Sequence, residues 1–207
     1  VERVTCPVVL IDRLTQCGWC DAVGFDNYLG GRLAAQYLLE GGHKRIGIVT
    51  GDVAESSAAD RRRGFVDAIE QAGERFDPAL CVSGDYRFDG GYHAADRIID
   101  GGATAVFCCN DVMALGFRQR MAERGLHVTE DMQVIGYDNI LRRFGLGLRM
   151  TTVEQSVVDL AAAGWGMLGS RIDAVVRGDG DSGAGRPWLA SPQVKVLTPK
   201  LVQAACA

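Results

Sequence analysis

Residues 105–116 read AVFCCNDVMALG, and this stretch decides the fold. Its first five residues are uncharged and either apolar or small, which predicts a strand buried on both faces of a parallel sheet. Asn110 and Asp111 end that run before a helical pattern begins. The carboxyl end of such a strand opens onto the crevice where ligands bind. This polar pair is therefore either a grip on a small molecule or a cap for the following helix.

Strands and helices alternate along most of the chain. Strands are predicted at Pro7–Ile11, Ala22–Phe25, Ile46–Thr50, Leu80–Val82, Ala105–Cys109 and Met132–Gly136. Helical patterns of roughly ten to fifteen residues follow several of them, an alternation that predicts a doubly wound, parallel α/β sheet. A longer helix is predicted from about Ser156 to Arg177, whereas the tail from Leu201 to Ala207 is expected to lack order.

Polar residues follow several of these parallel strands and should gather at one edge of the sheet. Arg61 opens a run of three arginines near a helix start, where a cation opposes the helix dipole unless it reaches a partner. Asn110 and Asp138 follow two other strands, with Tyr86 beside them. These groups suit a polyol or a sugar-like ring, with the tyrosine stacked on its apolar face. Because no partner is identified for Asp111, we assign Asn110 to the ligand and Asp111 to the helix cap.

The sequence offers no reaction for an enzyme to run. It shows no nucleophile paired with a base, no metal-ligand cluster and no Walker-type phosphate loop, so no catalytic residue, metal or cofactor is predicted. Cys17 and Cys20 have the C-x-x-C spacing of a redox or metal site. No second Cys/His pair completes a tetrahedral zinc site. A redox enzyme built on these two thiols is the rival reading.

Composition bears on partners and compartment. The 22 basic and 26 acidic residues give a net charge of −4, and no basic run within the chain marks a nucleic-acid surface. No apolar run approaches the roughly 18 to 20 residues that span a bilayer, and Val1–Arg3 does not open a signal peptide. Most of the seven cysteines lie in apolar runs, which favours a reducing compartment. We expect a cytoplasmic protein with no membrane partner.

A series of short segments carries a resemblance to a known family. The segments are Val8–Arg13, Asp26–Asn27 with Gly30–Gly31, Gly42–Ile46, Asp60–Arg61 with Gly64–Phe65, Thr104–Phe107, Asn110–Gly116, Val134–Asp138 and Thr151–Gln155. In this order they resemble the effector-binding core of the LacI/GalR family of bacterial transcription regulators. The resemblance implies a periplasmic-binding-protein-like fold, with two Rossmann-like subdomains joined by three crossings and a small effector in the cleft between them.

The resemblance also implies where the subdomains divide. The first would comprise residues 1–43 and 156–192, and the second residues 44–150 and 193–207. Family members begin with a helix-turn-helix DNA reader and with further elements of the first subdomain, and nothing in these 207 residues corresponds to either. We therefore expect an N-terminally truncated chain with an incomplete first subdomain.

Six residues match positions that bind effector in the family. They are Asp12 on the first subdomain, Arg61, Asn110 and Asp138 in the cleft, Tyr86 as an aromatic wall and Gln155 at a crossing. The implied function is the effector-sensing domain of a DNA-binding regulator of the repressor kind, whose operator affinity changes when a sugar, polyol or nucleobase-like molecule binds. The alternative is an extracytoplasmic sugar-binding protein of a transporter.

The family is also implied to form homodimers that reach operator DNA only through the helix-turn-helix domain. The helix after Asn110 should then lie near the dimer surface. Phe117 and Met121 on that helix are read either as interface residues or as core residues.

Overall fold

The computed structural model describes residues 6–14, 19–140, 150–177 and 191–204. The chain forms two compact units. The first unit comprises Val1–Asp26 and Ser156–Thr198, and the second unit comprises Asn27–Gln155 and Pro199–Ala207.

Strands and helices alternate as the sequence predicts. The strands are β1 (Val9–Ile11), β2 (Asp21–Phe25), β3 (Ile46–Thr50), β4 (Cys81–Ser83), β5 (Ala105–Cys108), β6 (Gln133–Asp138), β7 (Thr152–Glu154), β8 (Val194–Leu197) and β9 (Lys200–Val202). The helices are α1 (Asn27–Glu40), α2 (Ser56–Gln71), α3 (Phe88–Asp100), α4 (Asp111–Glu123) and α5 (Val157–Arg177). The predicted α/β class is confirmed, and β3 has the bounds read from its apolar run.

The second unit is a sheet with helices on both faces. Its strand order is β4-β3-β5-β6-β7-β9, parallel except for β9. Phe107 on β5 stacks on Phe65 of α2 with ring centroids 5.4 Å apart. Gly47 on β3 lies against Ile98 of α3, and its neighbour Ile48 is the register partner of Phe107. Because side chains alternate along strands, α2 and α3 cover opposite faces.

Strand β5, on which the prediction was built, lies at the centre of that layered core. All four of its residues are buried. Phe117 and Met121 of α4 are fully buried in the same apolar cluster. Both are therefore core residues of the second unit, which decides between the two readings left open by the sequence.

The first unit is a smaller parallel sheet in the order β1-β2-β8. Helix α5 packs on it, and Val23, Phe25, Leu160 and Ala163 form its buried apolar cluster. Asp21, at the start of β2, is 3% exposed. Its carboxylate accepts two hydrogen bonds from the Arg171 guanidinium, at 2.6 and 2.8 Å.

The division between the units differs from the one expected. Helix α1 belongs to the second unit because it packs along α2, where Gly31 and Gly64 let the two helix backbones approach closely. Strand β8 belongs to the first unit because it pairs in parallel with β2. The chain still passes between the units three times, after Asp26, Gln155 and Thr198.

The tail also differs from its expectation. Lys200–Val202 forms β9, which pairs antiparallel with β7 and places Leu201 opposite Val153. The backbone N–H of Ala204 then donates to the Thr151 hydroxyl at 3.1 Å. The partner strand β7 lies far back along the chain, so no local pattern in these residues marks the strand.

Candidate functional site

The carboxyl ends of the parallel strands of the second unit carry the polar residues that the sequence selects. Tyr86 follows β4, Asn110 follows β5, Asp138 ends β6 and Gln155 follows β7. Arg61 comes from the second turn of α2, the helix that follows β3. Five of the six predicted site residues therefore belong to one unit and one sheet edge.

Arg61 is the inward member of its arginine run. Its side chain is buried, whereas Arg62 and Arg63 are exposed. The Nε atom of Arg61 donates to the Asn27 side chain at 2.8 Å, and Nη1 donates to the Cys109 carbonyl at 2.6 Å. These two bonds fix the guanidinium plane at the sheet edge. They offset the unfavourable interaction of a cation with the helix dipole near the start of a helix.

Aromatic and acidic groups complete the surroundings of Arg61. The guanidinium carbon lies 3.7 Å from the centre of the Tyr137 ring, a cation–π contact, and Nη1 lies 4.0 Å from the Asp138 carboxylate. Burial disfavours the charge, but the electrostatic effects of Tyr137 and Asp138 outweigh it and raise the pKa of Arg61. The guanidinium is therefore a permanent buried cation.

Asn27 joins this cluster, although the sequence reading did not place it in the site. Its side-chain oxygen accepts from Arg61, from Gln155 Nε2 at 3.2 Å and from the Tyr137 hydroxyl at 3.4 Å. Gln155 also donates to the Tyr137 hydroxyl at 3.2 Å. Asn27 follows β2 with one residue between them, as Asn110 follows β5, so the same strand-end rule would have found it.

Tyr137 is the second residue that the sequence reading missed. It is fully buried, and burial raises its pKa to about 12 against the opposing effect of Arg61. Its hydroxyl lies where any side chain at Gly30 would collide with it. The phenol therefore stays neutral and serves as a platform for the guanidinium.

The helix cap expected from Asp111 is supplied by Asn110. Asn110 caps α4, since its side-chain oxygen accepts from the Met113 N–H at 2.8 Å, and its amide donates to the Tyr86 carbonyl at 3.1 Å. Asp111 accepts from the Ile140 N–H and from the Thr152 hydroxyl, both at 2.8 Å. Contact between Asn110 and a ligand stays a prediction. The second N–H of the side-chain amide would make that contact.

Tyr86 lies beside the arginine. Its ring centre is 6.0 Å from the guanidinium carbon of Arg61. Gly51 makes room for the ring, because a side chain there would overlap it. The phenolic oxygen is buried with no well-formed hydrogen bond to any described residue. Burial raises the pKa of Tyr86, and the nearby Ser57 side chain has a smaller, opposite effect.

Three of the predicted site residues hold strained backbone. Asp12, Tyr86 and Asp138 have φ values of 59°, 57° and 97°, in the left-handed region that costs a non-glycine residue about 1–3 kcal/mol. Such strain collects at functional sites. Asp12 belongs to the first unit, where it is exposed just after β1, and its part in binding stays a prediction.

The described residues give no support to a redox or metal site at Cys17 and Cys20. Cys17 lies outside the described residues, and Cys20 is a buried free thiol of the first unit. Among the described residues, no group of three or more His, Cys, Asp and Glu side chains could hold a metal ion. None of the described helices combines the length and the hydropathy needed to cross a membrane.

A concavity lies in the first unit, away from these residues. This groove of about 610 Å³ runs between α5 and the β8 edge. Of its charged residues, Asp21 and Arg171 are paired with each other, and the Gln193 N–H also donates to Asp21 at 2.8 Å. The third, Lys195, is exposed.

Comparison with known proteins gives one consistent answer. Residues 35–195 match the family described as a periplasmic binding protein-like domain. The chain is 38% identical over 169 residues to the HTH-type transcriptional repressor PurR of Pasteurella multocida, covering 81% of this chain and 51% of the repressor. It therefore spans about half the length of the curated relatives it matches.

Solved structures agree. A LacI family transcriptional regulator from Enterococcus faecium with bound ribose superposes with a TM-score of 0.81 at 26% identity, covering 96% of this chain and 69% of that one. The complex of the transcriptional regulator CelR with cellobiose superposes with a TM-score of 0.75 at 29% identity, covering 89% of this chain and 53% of that one.

Proposed function

Because this chain belongs to the periplasmic binding protein-like family, as the effector-binding core of a LacI-family transcription regulator, we propose that it binds a small sugar-like molecule at the carboxyl edge of the second unit's sheet. The residues that would contact it are Arg61, Tyr86, Asn110, Asp138 and Gln155. Asp12 is proposed as a further contact on the resemblance alone.

The observation that carries this proposal is the fixed cation at the strand ends. Arg61 is held by Asn27 and by a backbone carbonyl, so its orientation is set before a ligand arrives. The Asp138 carboxylate lies 4.0 Å away with its side chain 29% exposed, which leaves it able to accept hydroxyl protons. A guanidinium that donates beside a carboxylate that accepts matches adjacent hydroxyl groups of a polyol or sugar.

An aromatic group at the same edge supports a ring-shaped ligand. The Tyr86 ring lies beside Arg61, and an aromatic face packs well on the apolar face of a sugar or on a nucleobase. Regulators of similar structure were solved with ribose and with cellobiose, which favours the sugar class. A polyol and a nucleobase-like molecule remain members of the proposed set.

For the whole protein we propose regulation by population shift. The matched part of this chain spans about half of relatives that include repressors named for a helix-turn-helix reader, so operator binding would belong to a domain outside these residues and would act in the cytoplasm. In a homodimer, an effector changes operator affinity only if it binds two conformations with different affinities. The relatives are regulators, so neither an enzyme nor a transporter-associated binding protein is proposed.

The test is calorimetric titration of the purified chain with D-ribose, cellobiose, xylitol and adenine. Arg61→Ala should weaken binding of the active compound at least about thirtyfold, because truncating a buried charge contact costs about 2–5 kcal/mol. Unchanged affinity would show that the site is elsewhere.

Arg45→Ala is the matched control. Arg45 also bonds a carbonyl and a carboxylate, those of Gly101 and Asp77, but it precedes β3 and lies at the amino end of the sheet. Its loss should leave binding unchanged. Should Arg61→Ala fail to fold, Asp138→Asn tests the same edge with a less buried residue, and retained full affinity there would equally count against the site.

A further inference from the structure

The turn after β6 has a backbone that its residues do not favour by themselves. Asp138 and the next residue, Asn139, have φ values of 97° and 57°, two consecutive left-handed residues that both carry a Cβ. Strain of this kind persists only where surrounding contacts over-determine it. Those contacts also decide where the Asp138 carboxylate lies.

Asp111 supplies two of these contacts. Its side chain is 1% exposed. One carboxylate oxygen accepts the Ile140 N–H at 2.8 Å, and the other accepts the Thr152 hydroxyl at 2.8 Å. Ile140 directly follows the left-handed pair, and Thr152 opens the neighbouring strand β7. A single buried carboxylate thus ties the end of the strained turn to the adjacent strand.

The surrounding chain is shaped for this carboxylate. Gly136 on β6 leaves space that a Cβ would fill, because such an atom would overlap the Asp111 side chain. Asp111 is the first residue of α4, where the helix dipole favours negative charge. The side chain of Asn139, within the turn, adds a second hydrogen bond to β7 by donating to Glu154 at 3.0 Å.

We propose that Asp111 is a positioning residue for effector binding: it holds the left-handed turn at 138–139 and so sets the Asp138 carboxylate beside Arg61. Asp111 does not touch the effector in this account. The ligand-binding part rests on the proposed function, since it takes Asp138 as an effector contact. The structural part, that Asp111 holds the turn, does not depend on any ligand.

The structural part is tested by amide hydrogen exchange without ligand. In Asp111→Ala, the Ile140 amide should exchange at least about tenfold faster relative to amides of β5, since a hydrogen bond to a charged group is lost. Asp111→Asn should lie between that variant and wild type, because its amide can still accept the N–H but as a weaker, neutral acceptor. An unchanged Ile140 rate in Asp111→Ala would overturn the proposal.

Asp77→Ala is the matched control. Asp77 also accepts a backbone N–H and a side-chain donor, from Ala79 and Arg45, but it lies elsewhere in the second unit. Its loss should not alter exchange at Ile140, and equal acceleration there would mean that Asp111 acts only on overall stability. If Asp111→Ala does not fold, Asp111→Asn is compared with Asp77→Asn, and equal Ile140 rates would be the contrary result.

The binding part is tested by a double-mutant cycle with D-ribose as the probe. Asp111→Ala should weaken ribose binding about tenfold in the wild-type background and less than about twofold when Asp138 is already Ala, because its effect passes through Asp138. Equal weakening in both backgrounds would overturn the positioning role. Failure of the wild-type chain to bind ribose would count against the proposed ligand class, while the exchange result still decides whether Asp111 holds the turn.

Discussion

The two units bury their apolar residues to very different extents. In the second unit, strands β3 and β5 are buried along their whole length, and one apolar cluster runs from Ala34 to Val153. Among the described residues of the first unit, the buried cluster has four members. Helix α5 of that unit buries three of its 21 residues, and its Trp165 side chain is 76% exposed.

This difference shows that the units draw on different forces. Burial of apolar surface is the main favourable term in folding, and the second unit has a sheet covered by helices on both faces to supply it. The first unit has far less apolar burial among its described residues. It relies more on the bidentate pair of Arg171 with Asp21, whose carboxylate also accepts the Gln193 N–H.

The largest expected effect on the free energy of unfolding comes from truncating a side chain in the core of the second unit. Phe107→Ala should lower the free energy of unfolding of the second unit by about 3–5 kcal/mol, and Leu160→Ala should lower that of the first by about 2 kcal/mol, the low end for a buried leucine. Phe107 is fully buried and stacked on Phe65, whereas Leu160 is 9% exposed in a small cluster.

The sequence itself supplies the probe that separates these two effects. The chain has three tryptophans, and the two among the described residues, Trp19 and Trp165, lie in the first unit. Tryptophan fluorescence during urea unfolding therefore follows the first unit, and amide exchange at β5 follows the second. Equal losses from the two substitutions would contradict the contrast drawn between the cores.

The next effect concerns the polar tie of the first unit. Burial alone would raise the pKa of Asp21, but hydrogen bonds from Arg171 and Gln193 outweigh it and lower the pKa below its ordinary value of 3.8. A lowered pKa in the folded state gives stability that is complete above 3.8 and is lost as the pH falls through the lowered value. Lowering the pH should therefore reduce the stability of the first unit through the protonation of Asp21.

Asp21→Asn isolates that contribution. At neutral pH it should cost about 1.5–3 kcal/mol, the range for a hydrogen bond to a charged group. The difference from wild type should shrink as the pH falls below 3.8 and through the lowered pKa of the folded state, because the wild-type carboxyl then becomes neutral as well. Urea unfolding followed by tryptophan fluorescence across this range measures it, and a difference that stays constant would mean that the ion pair adds nothing.

Elements set by local sequence could be predicted, and those set by distant pairing could not. Ile46–Thr50 and Ala105–Cys108 are buried on both faces. Their uncharged runs therefore indicated strands without any information from the rest of the chain. Strand β9 and the place of α1 were missed because they depend on β7 and on close packing against α2. A short segment carries no local mark of which strand it will join.

The same limit applies to the candidate site. Arg61 could be predicted because a cation near a helix start needs a partner, and the structure shows one in Asn27. The helix-capping role of Asn110 and the bonds of Asp111 could not, because adjacent polar residues at a strand end look alike in sequence. The partners of Asp111, Thr152 and Ile140, lie far along the chain.

The smallest effect is expected on the exposed face of α5. Trp165→Ser should change the free energy of unfolding by less than about 0.5 kcal/mol, as for other surface substitutions, although Leu160 lies only five residues away on the same helix. The reason is geometric, since Leu160 faces the cluster on β2 while Trp165 is largely exposed. Amide exchange along α5 measures this without relying on the tryptophan that is removed. A loss above about 1 kcal/mol would show that this face is covered in solution, and the apolar burial of the first unit would then be larger than its own residues supply.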